Sequence, residues 1–491
     1  MKKIVSLVIA AALFCSVLIS CNSNTDNSVS SKTTSDITNS ASITSTDSDV
    51  SDEIVYKDDL PDIDMEGYTF RMYTRFNSSM TGYINVEEIT AEVLDNAIYN
   101  RNRRIEERFN MKFTEILNEG NTDNARTAVL AGDDSYDMIS TRIPAAYQYA
   151  YEGLLYSLNE LNYIDLSKPY WDENLNQVLT VANKRYFAIG ASNLTTNDFT
   201  GCLIFNKKFL EDLMLENPYA LVDTGKWTYD KFNELARAAV KDVDSNGIMD
   251  KEDSYGLISP AKAVSPAFWI AAGNLAVKKD ENDIPYFSMT NDEKFISTFQ
   301  KIFEVTYDNN VWYKTTTDAN VDLTDLQIFE NNRALFAYST FFYINNLRNM
   351  EADFGILPYP KLDERQDKYY GQVSFTDLFT VPTTNKNLDY SGIIIEALAC
   401  ESAKTVVPAY YNVALKTKTV RDEDSEKMLD IIFKSRVLDL GDTLFSEQIR
   451  DGVFTVMYKK GDRDLVSKLE KMQINTEKEI NKIVEAFEAL N

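Results

Sequence analysis

Residues 242–253 read DVDSNGIMDKED. Oxygen-bearing side chains occupy the first, third, fifth, ninth and twelfth places around a glycine at the sixth, which is the ligand spacing of an EF-hand calcium loop. Asp242, Asp244 and Asn246 would supply side-chain oxygens, Ile248 its carbonyl, Asp250 a contact through water, and Asp253 would close the ring. Asp at the twelfth place departs from the usual Glu, and the shorter side chain reaches less easily with both oxygens. Without a cation the aspartates would repel one another, and the stretch would be a solvated acidic turn. No second DxDxNG occurs in the chain, so a paired sensor that opens an apolar groove is not expected. Calcium is expected here as a structural fastening.

Other chemistries are excluded by composition. The chain contains no histidine, which removes Ser-His-Asp and Cys-His catalysis, histidine-ligated zinc and imidazole acid-base chemistry together. No GxxxxGK[ST] occurs; TGKWT (residues 224–228) has the lysine without the loop. Carboxylate catalysis survives this filter, so a surface glycoside hydrolase or lyase is one alternative. With 76 acidic residues, however, no pair can be singled out. Beyond Cys21 only Cys202 and Cys400 remain as thiols, and their spacing indicates two free buried cysteines and no disulfide framework.

The N-terminus is built for export. MKKIVSLVIAAALFCSVLIS (1–20) has two lysines and an apolar run too short to span a membrane. Leu18-Ile19-Ser20-Cys21 resembles a bacterial lipobox, in which Cys21 would carry the lipid. Residues 21–60 are expected to be a lipid-anchored tether. Its stretch 22–53 is almost wholly Ser, Thr, Asn and Asp with no aromatic residue, too polar to offset chain entropy by burial. As a coil it would reach about 30 Å. The formal charge of −26 makes nucleic acid and anionic lipid poor partners.

The remaining chain, with aromatics throughout, is longer than one core usually holds, so two lobes are expected. GYTFRMYTRF (67–76) alternates as a strand. In the following stretch Leu94, Ile98, Ile105 and Phe109 form a helical stripe, with Arg and Glu expected outside. A further helix near NARTAVLAGDD and a strand at YDMIST continue the alternation found in parallel α/β layers.

The order NRNRRIEERFNMKFT, LAGDDSYDMIST, YEGLLYSLNEL, KRYFAIGASN, LIFNKKFLED, GKWTYDKFNELARAA, YGLIS, IFENNRALFAYSTFF, FGILPYPK and VPTTNKN resembles the family 1 extracellular solute-binding proteins of bacterial ABC importers. The resemblance extends over essentially the whole chain after the tether. It implies a type II, two-lobe periplasmic-binding-protein-like α/β fold, with the lobes joined by crossing hinge strands that close around a ligand. Lobe one would comprise 61–200 plus 374–405 and lobe two 201–373 plus 406–491, the helices after 406 packing mainly on lobe two. The function implied is capture of a carbohydrate, an oligosaccharide by preference, by a monomer anchored to the outer face of the cell membrane, for delivery to a permease. A surface adhesin is the second alternative.

By the same resemblance, Thr141 and Arg142 lie at a cleft-facing strand end, where arginine can donate paired hydrogen bonds to hydroxyls or a carboxylate. Arg75, after the first strand, follows the same logic. Trp171, in the polar stretch KPYWDENLN, is a candidate stacking platform. Asn193 and Asp198 flank the strand that leads to the first crossing. Phe341 is implied as the stacking aromatic after AYST, with Tyr343 two residues on and Trp269 within reach; the family more often has Gly and Trp where Ser339 and Phe341 stand. Ser374 and Asp377 are the expected polar contacts where the chain returns past the cleft floor.

Overall fold

The alternating stretch at the start of the body forms β1 (Tyr68–Arg75), which pairs in parallel with both β2 (Met111–Asn118) and β3 (Met138–Arg142). Parallel neighbours need crossovers, supplied by the helices Val93–Phe109 and Asn124–Leu130. Chain then leaves this sheet for β4 (Gly201–Asn206) and β5 (Tyr255–Ser259). A hairpin of β6 (Val277–Lys279) and β7 (Pro285–Phe287) comes next, then β8 (Trp312–Lys314), β9 (Ala334–Thr340) and β10 (Phe354–Leu357). It returns through β11 (Gly371–Gln372) to β12 (Asp377–Thr380), and β13 (Arg436–Val437) later pairs with β11. The computed structural model describes residues 55–75, 83–118, 123–316, 323–347, 353–416 and 423–490. Cys21, the expected lipidation site, lies outside them, and no described helix is long and apolar enough to cross a membrane.

Two sheets result. The first has the order β12-β3-β1-β2, the second β10-β4-β9-β5-β8. β4, β5, β9 and β10 are buried at every residue, as strands covered on both faces must be, and their sequences are near-continuous apolar runs for that reason. Between the sheets the chain passes twice. Thr200 and Val373 pair there in an antiparallel bridge, and the Ser374 N–H donates to the Phe199 carbonyl at 3.0 Å.

Three expectations need correction. Residues 55–60, assigned to the tether, are packed on the first lobe: Asp58 is 7% exposed and accepts from both terminal nitrogens of Arg108 at 2.8 and 2.9 Å. On the helix Val93–Phe109 not every charged side chain faces solvent. Arg101 is fully buried because the helix is covered on its outer side by the segment after Leu388, and its guanidinium donates to Asn102, Ser402 and the Ile84 carbonyl, all neutral. Burial lowers its pKa to about 9. The C-terminal helices also reach across: Val407–Lys416 packs on Val93–Phe109, and Phe487 of Val466–Ala489 meets Tyr147 and Tyr186 at 5.9 and 5.3 Å. Cys202 and Cys400 are both buried and unpaired.

The second lobe contains a close approach of helix and strand. Gly256 in β5 lies under the helix Tyr229–Ala238, and a Cβ there would stand 2.5 Å from the Ala236 carbonyl oxygen, a backbone atom with no rotamer to change. Gly256→Ala is therefore expected to lower the unfolding free energy by about 1–3 kcal/mol, measured by urea denaturation of both chains; an unchanged midpoint would refute this packing.

Candidate functional site

At one end of the first sheet β1 stops at Arg75, β3 stops at Arg142, and β12 begins at Asp377. Register places Asp377 opposite Arg142. Arg75 Nε lies 3.8 Å from Asp377 Oδ1, and its guanidinium sits over the Phe375 ring at 5.3 Å. Both of those atoms are buried without a hydrogen-bond partner. Burial pushes the Asp377 carboxyl up to about 6, with Arg75 and Arg142 pulling the other way. Arg142 is exposed and Thr141 beside it is buried. Asn193 is committed to the backbone: its Nδ2 donates to the Asp377 carbonyl and its Oδ1 accepts from the Gly190 N–H, both at 2.9 Å.

Three aromatic rings from three separate segments meet beside this cluster. Phe199 precedes β4, Phe342 follows β9, and Phe375 lies between β11 and β12. Phe199 stacks on Phe342 at 5.3 Å and 15°, and meets Phe375 edge-on at 4.9 Å. Tyr343 extends the group, edge-on to Phe342 at 5.3 Å. All four rings are half-buried, as is Ser374, whose hydroxyl donates to the Phe199 carbonyl at 3.2 Å. The junction between the sheets thus carries apolar ring faces next to a carboxylate and two guanidinium groups. That pairing can hold a flat, hydroxylated molecule by stacking and hydrogen bonding at once.

Sequence reasoning missed Phe199, Phe342 and Phe375. Phe341, named instead, is 1% exposed and stacked on Phe433 at 4.7 Å. The signal was the aromatic run Phe341-Phe342-Tyr343, which opens the helix Phe341–Asn346: successive side chains on a helix point about 100° apart, so when one ring enters the core its neighbour faces another way.

Two tryptophans also leave the list. Trp269 is fully buried on the helix Ala261–Ala271, donating to Asp439 at 3.1 Å and packed on Phe454. Trp171 is 4% exposed, with its indole N–H on Glu396 at 3.0 Å and its ring so close to Gly190 that a Cβ there would lie 2.6 Å away. Its edge lines a cavity of about 310 Å³ shared with Asp172, Asn197, Tyr411 and Arg436, a different set from the Arg75 group. Asp198 is likewise sealed, accepting from the Tyr83 and Tyr410 hydroxyls, and burial pushes its carboxyl up to about 6. These three side chains hold the frame of the junction.

The acidic loop joins the helix Tyr229–Ala238 to β5, its ends closed by paired Lys241 and Ser254. One carboxylate oxygen from each of Asp242, Asp244 and Asp253 falls within 4.8 Å of the others. Gly247, at φ +80°, turns the chain so that its N–H donates to Asp242 at 2.8 Å. Asp253 is buried and accepts from the Val243 and Asp250 N–H groups, both at 2.8 Å. Asn246 Oδ1 accepts from the Ile248 N–H at 2.7 Å, while Ile248 and Asp250 lie exposed.

No protein-family model matches the chain, and no curated protein matches it in sequence. Solved structures do. An ABC substrate-binding protein of Listeria monocytogenes in complex with cycloalternan is 14% identical with a TM-score of 0.54, the match covering 84% of this chain and 99% of that one. The maltose/maltodextrin-binding domain of Bdellovibrio bacteriovorus bound to maltotriose is 15% identical, TM-score 0.52, over 84% and 100%. RafE of Streptococcus pneumoniae, in its apo form, is 16% identical, TM-score 0.52, over 86% and 97%. The fold is accordingly the two-lobe periplasmic-binding-protein fold.

The raised Asp377 pKa fixes the sign of a stability effect. An aspartate that titrates near 6 when folded and near 3.9 when unfolded contributes stability that falls as pH rises between those values and is lost above 6. Asp377→Asn removes the buried charge, so the variant is expected to melt above wild type at pH 8, with the gap shrinking by pH 5. Melting temperatures measured across that range check this; a constant gap would refute it.

Proposed function

We propose that this chain is a lipid-anchored solute-binding protein that captures a neutral carbohydrate between its lobes and presents it to an ABC permease. The single observation that carries the reading is the junction itself. Half-buried rings from three segments lie against a carboxylate and two arginines, where the chain crosses between the sheets. Rings suit the apolar faces of pyranoses, and the charged groups suit hydroxyls. That the similar structures include sugar complexes supports the same ligand class. Hinge closure would exclude water from the junction, and the permease would recognise the closed form. Binding, and no covalent step, is the proposed activity.

Calcium belongs to this proposal as a fastening. Three converging carboxylates form a hard-oxygen donor set of the kind that divalent cations prefer. Asp242, Asp244 and Asp253 would hold the ion with Asn246, the Ile248 carbonyl and Asp250. Bound there it would neutralise the acidic turn and fix the helix-to-strand connection.

Thermal-shift and calorimetric titration with neutral mono- and oligosaccharides, run with calcium and with a chelator, is expected to give one sugar that raises the melting temperature in both conditions. Chelation alone should lower the baseline melting temperature and leave the sugar increment. A chain that turns the sugar over would sink the binding reading, and a chelator without effect on the baseline would sink the calcium assignment. For the anchor, cells expressing the full chain and fed alkyne-palmitate should label it, and Cys21→Ala should abolish the label; label retained in that variant would exclude Cys21.

A further inference from the structure

The strand ends of the first sheet hold a mismatch that the described residues leave open. Asp377 is 8% exposed, its Oδ1 is buried, and among the described residues none donates to that atom. The nearest cationic atom, Arg75 Nε, stands 3.8 Å away, too far for a hydrogen bond, and is itself buried without an acceptor. Ser192 Oγ is a third buried atom without a partner, and all three residues line one small pocket. The pocket, with about 20 Å³ of free space, is also lined by Tyr83, Asn193 and Thr195. It admits a single oxygen atom and no ring.

Other buried carboxylates are treated differently. Asp198 takes two phenols. Asp439 takes the Trp269 indole and the N–H groups of Ala276, Val277 and Gly441. Asp442 takes Gln372 and Arg450 at 2.6 and 3.0 Å. A buried acceptor and a buried donor left unpaired side by side are costly, and both can be satisfied by one group that donates and accepts. A hydroxyl is such a group. Asp377 Oδ1 and Arg75 Nε would take its proton and its lone pair, and the exposed guanidinium of Arg142, register-paired with Asp377, would reach the neighbouring oxygen.

We propose that Asp377 is the specificity-determining acceptor of the site: one hydroxyl of a neutral sugar enters this pocket, donating to Asp377 and accepting from Arg75, with Arg142 on the adjacent hydroxyl. The assignment rests on the carbohydrate reading above. It excludes a uronate carboxylate at this position, which has no proton to donate and repels Asp377. An ordered water has the same hydrogen-bonding chemistry, and the experiment separates the two. Charged and titratable groups facing Asp377 are Arg75 from β1, Arg142 from β3 and Tyr83, whose hydroxyl is held by Asp198. Since Asp198 titrates in the same range, the decisive quantity is the difference between wild type and variant.

The test is calorimetric titration of the wild-type chain and Asp377→Asn at pH 5 and pH 8. The probes are a panel of neutral mono- and oligosaccharides including maltotriose and raffinose, the matching uronates, and monodeoxy forms of whichever sugar binds. At pH 8 the variant should bind about tenfold or more weakly, the loss expected for a charge-assisted hydrogen bond. At pH 5 the difference should nearly vanish, because wild-type Asp377 is then largely protonated. One monodeoxy sugar should lose as much affinity on wild type as the variant loses on the parent sugar. Melting curves of the variant establish that it is folded. Equal affinity of variant and wild type at both pH values would mean that only water fills the pocket, and would overturn this assignment while leaving the carbohydrate reading intact. Preference for a uronate would do the same. Failure of the whole panel to bind wild type would overturn both.

Discussion

Two short segments, residues 199–201 and 373–377, run antiparallel between the sheets, and the geometry of the junction follows from their pairing. The Thr200–Val373 bridge and the Ser374–Phe199 hydrogen bond set the register between the outgoing and returning chain. That register is what brings Phe199 against Phe375 and presents Asp377 to Arg75 and Arg142. β13 braces the return from its other side, since the Gly371 and Val373 N–H groups both donate to its segment at 2.8 Å. Polar contacts outside the two paired segments also join the lobes. Lys279, at the base of the β6–β7 hairpin, donates to the Gln177 carbonyl at 2.6 Å and the Thr180 hydroxyl at 2.9 Å. Arg436 bridges Asp172 and Asn197 at 2.8 and 2.6 Å. Any change in the angle between the lobes must work through the paired segments and either carry these contacts along or break them.

The buried acids show how stability and ligand recognition are divided. Glu396 lies among apolar side chains of the first lobe, yet it accepts from Tyr170, from the Trp171 indole at 3.0 Å and from the Asp165 N–H at 3.2 Å. Its charge is dispersed over three donors, so it ties a loop to a helix. Asp439 does the same in the second lobe with the Trp269 indole and three backbone N–H groups. Asp377, 8% exposed, is nearly as deeply placed, but its buried Oδ1 receives no hydrogen bond from the described residues, so in its ionised form it lowers stability. A group that lowers stability where an amide would serve better is the kind expected where binding sets the requirement.

Much of this was legible in the sequence, and the failures have physical causes. Strand and helix periodicity located the start of the first layer, because β2 and the helix Val93–Phe109 alternate between buried and exposed positions. The order of motifs carried the two-lobe fold further than periodicity could. Arg75 and Arg142 were named from their place at strand ends and Asp377 from the return crossing that the resemblance implies, and the fold brings the three together. The aromatics were harder. Trp171 was named from its polar surroundings, Trp269 from its reach toward the cleft and Phe341 from the resemblance, but the indoles of Trp171 and Trp269 find the buried acceptors Glu396 and Asp439, and Phe341, with no polar atom to satisfy, stacks on Phe433. Phe199 and Phe375 stand beside polar residues on the two crossing segments, and only their pairing in space reveals them. Buried Arg101 was unreadable for a related reason: besides its neighbour Asn102, the groups that receive it, the Ile84 carbonyl and Ser402, lie apart from it in the chain.

Strand polarity decides the place of the acidic loop. β5 runs parallel to β9, with Tyr255 opposite Ala334 and Ile258 opposite Ala337. The loop ends at Ser254, so it sits at the start of β5. Phe342 lies just beyond the far end of β9, past Thr340. Six or seven residues of extended chain separate those two ends of the sheet, which at about 3.3 Å per residue is about 20 Å. A cation bound by Asp242, Asp244 and Asp253 therefore contacts none of the rings or arginines of the junction. Its influence there must travel through β5 and the helix Tyr229–Ala238, which Gly256 holds in close contact. A rigid helix-strand pair transmits position, so the most legible motif in the sequence acts on the candidate site only by keeping the second lobe in shape.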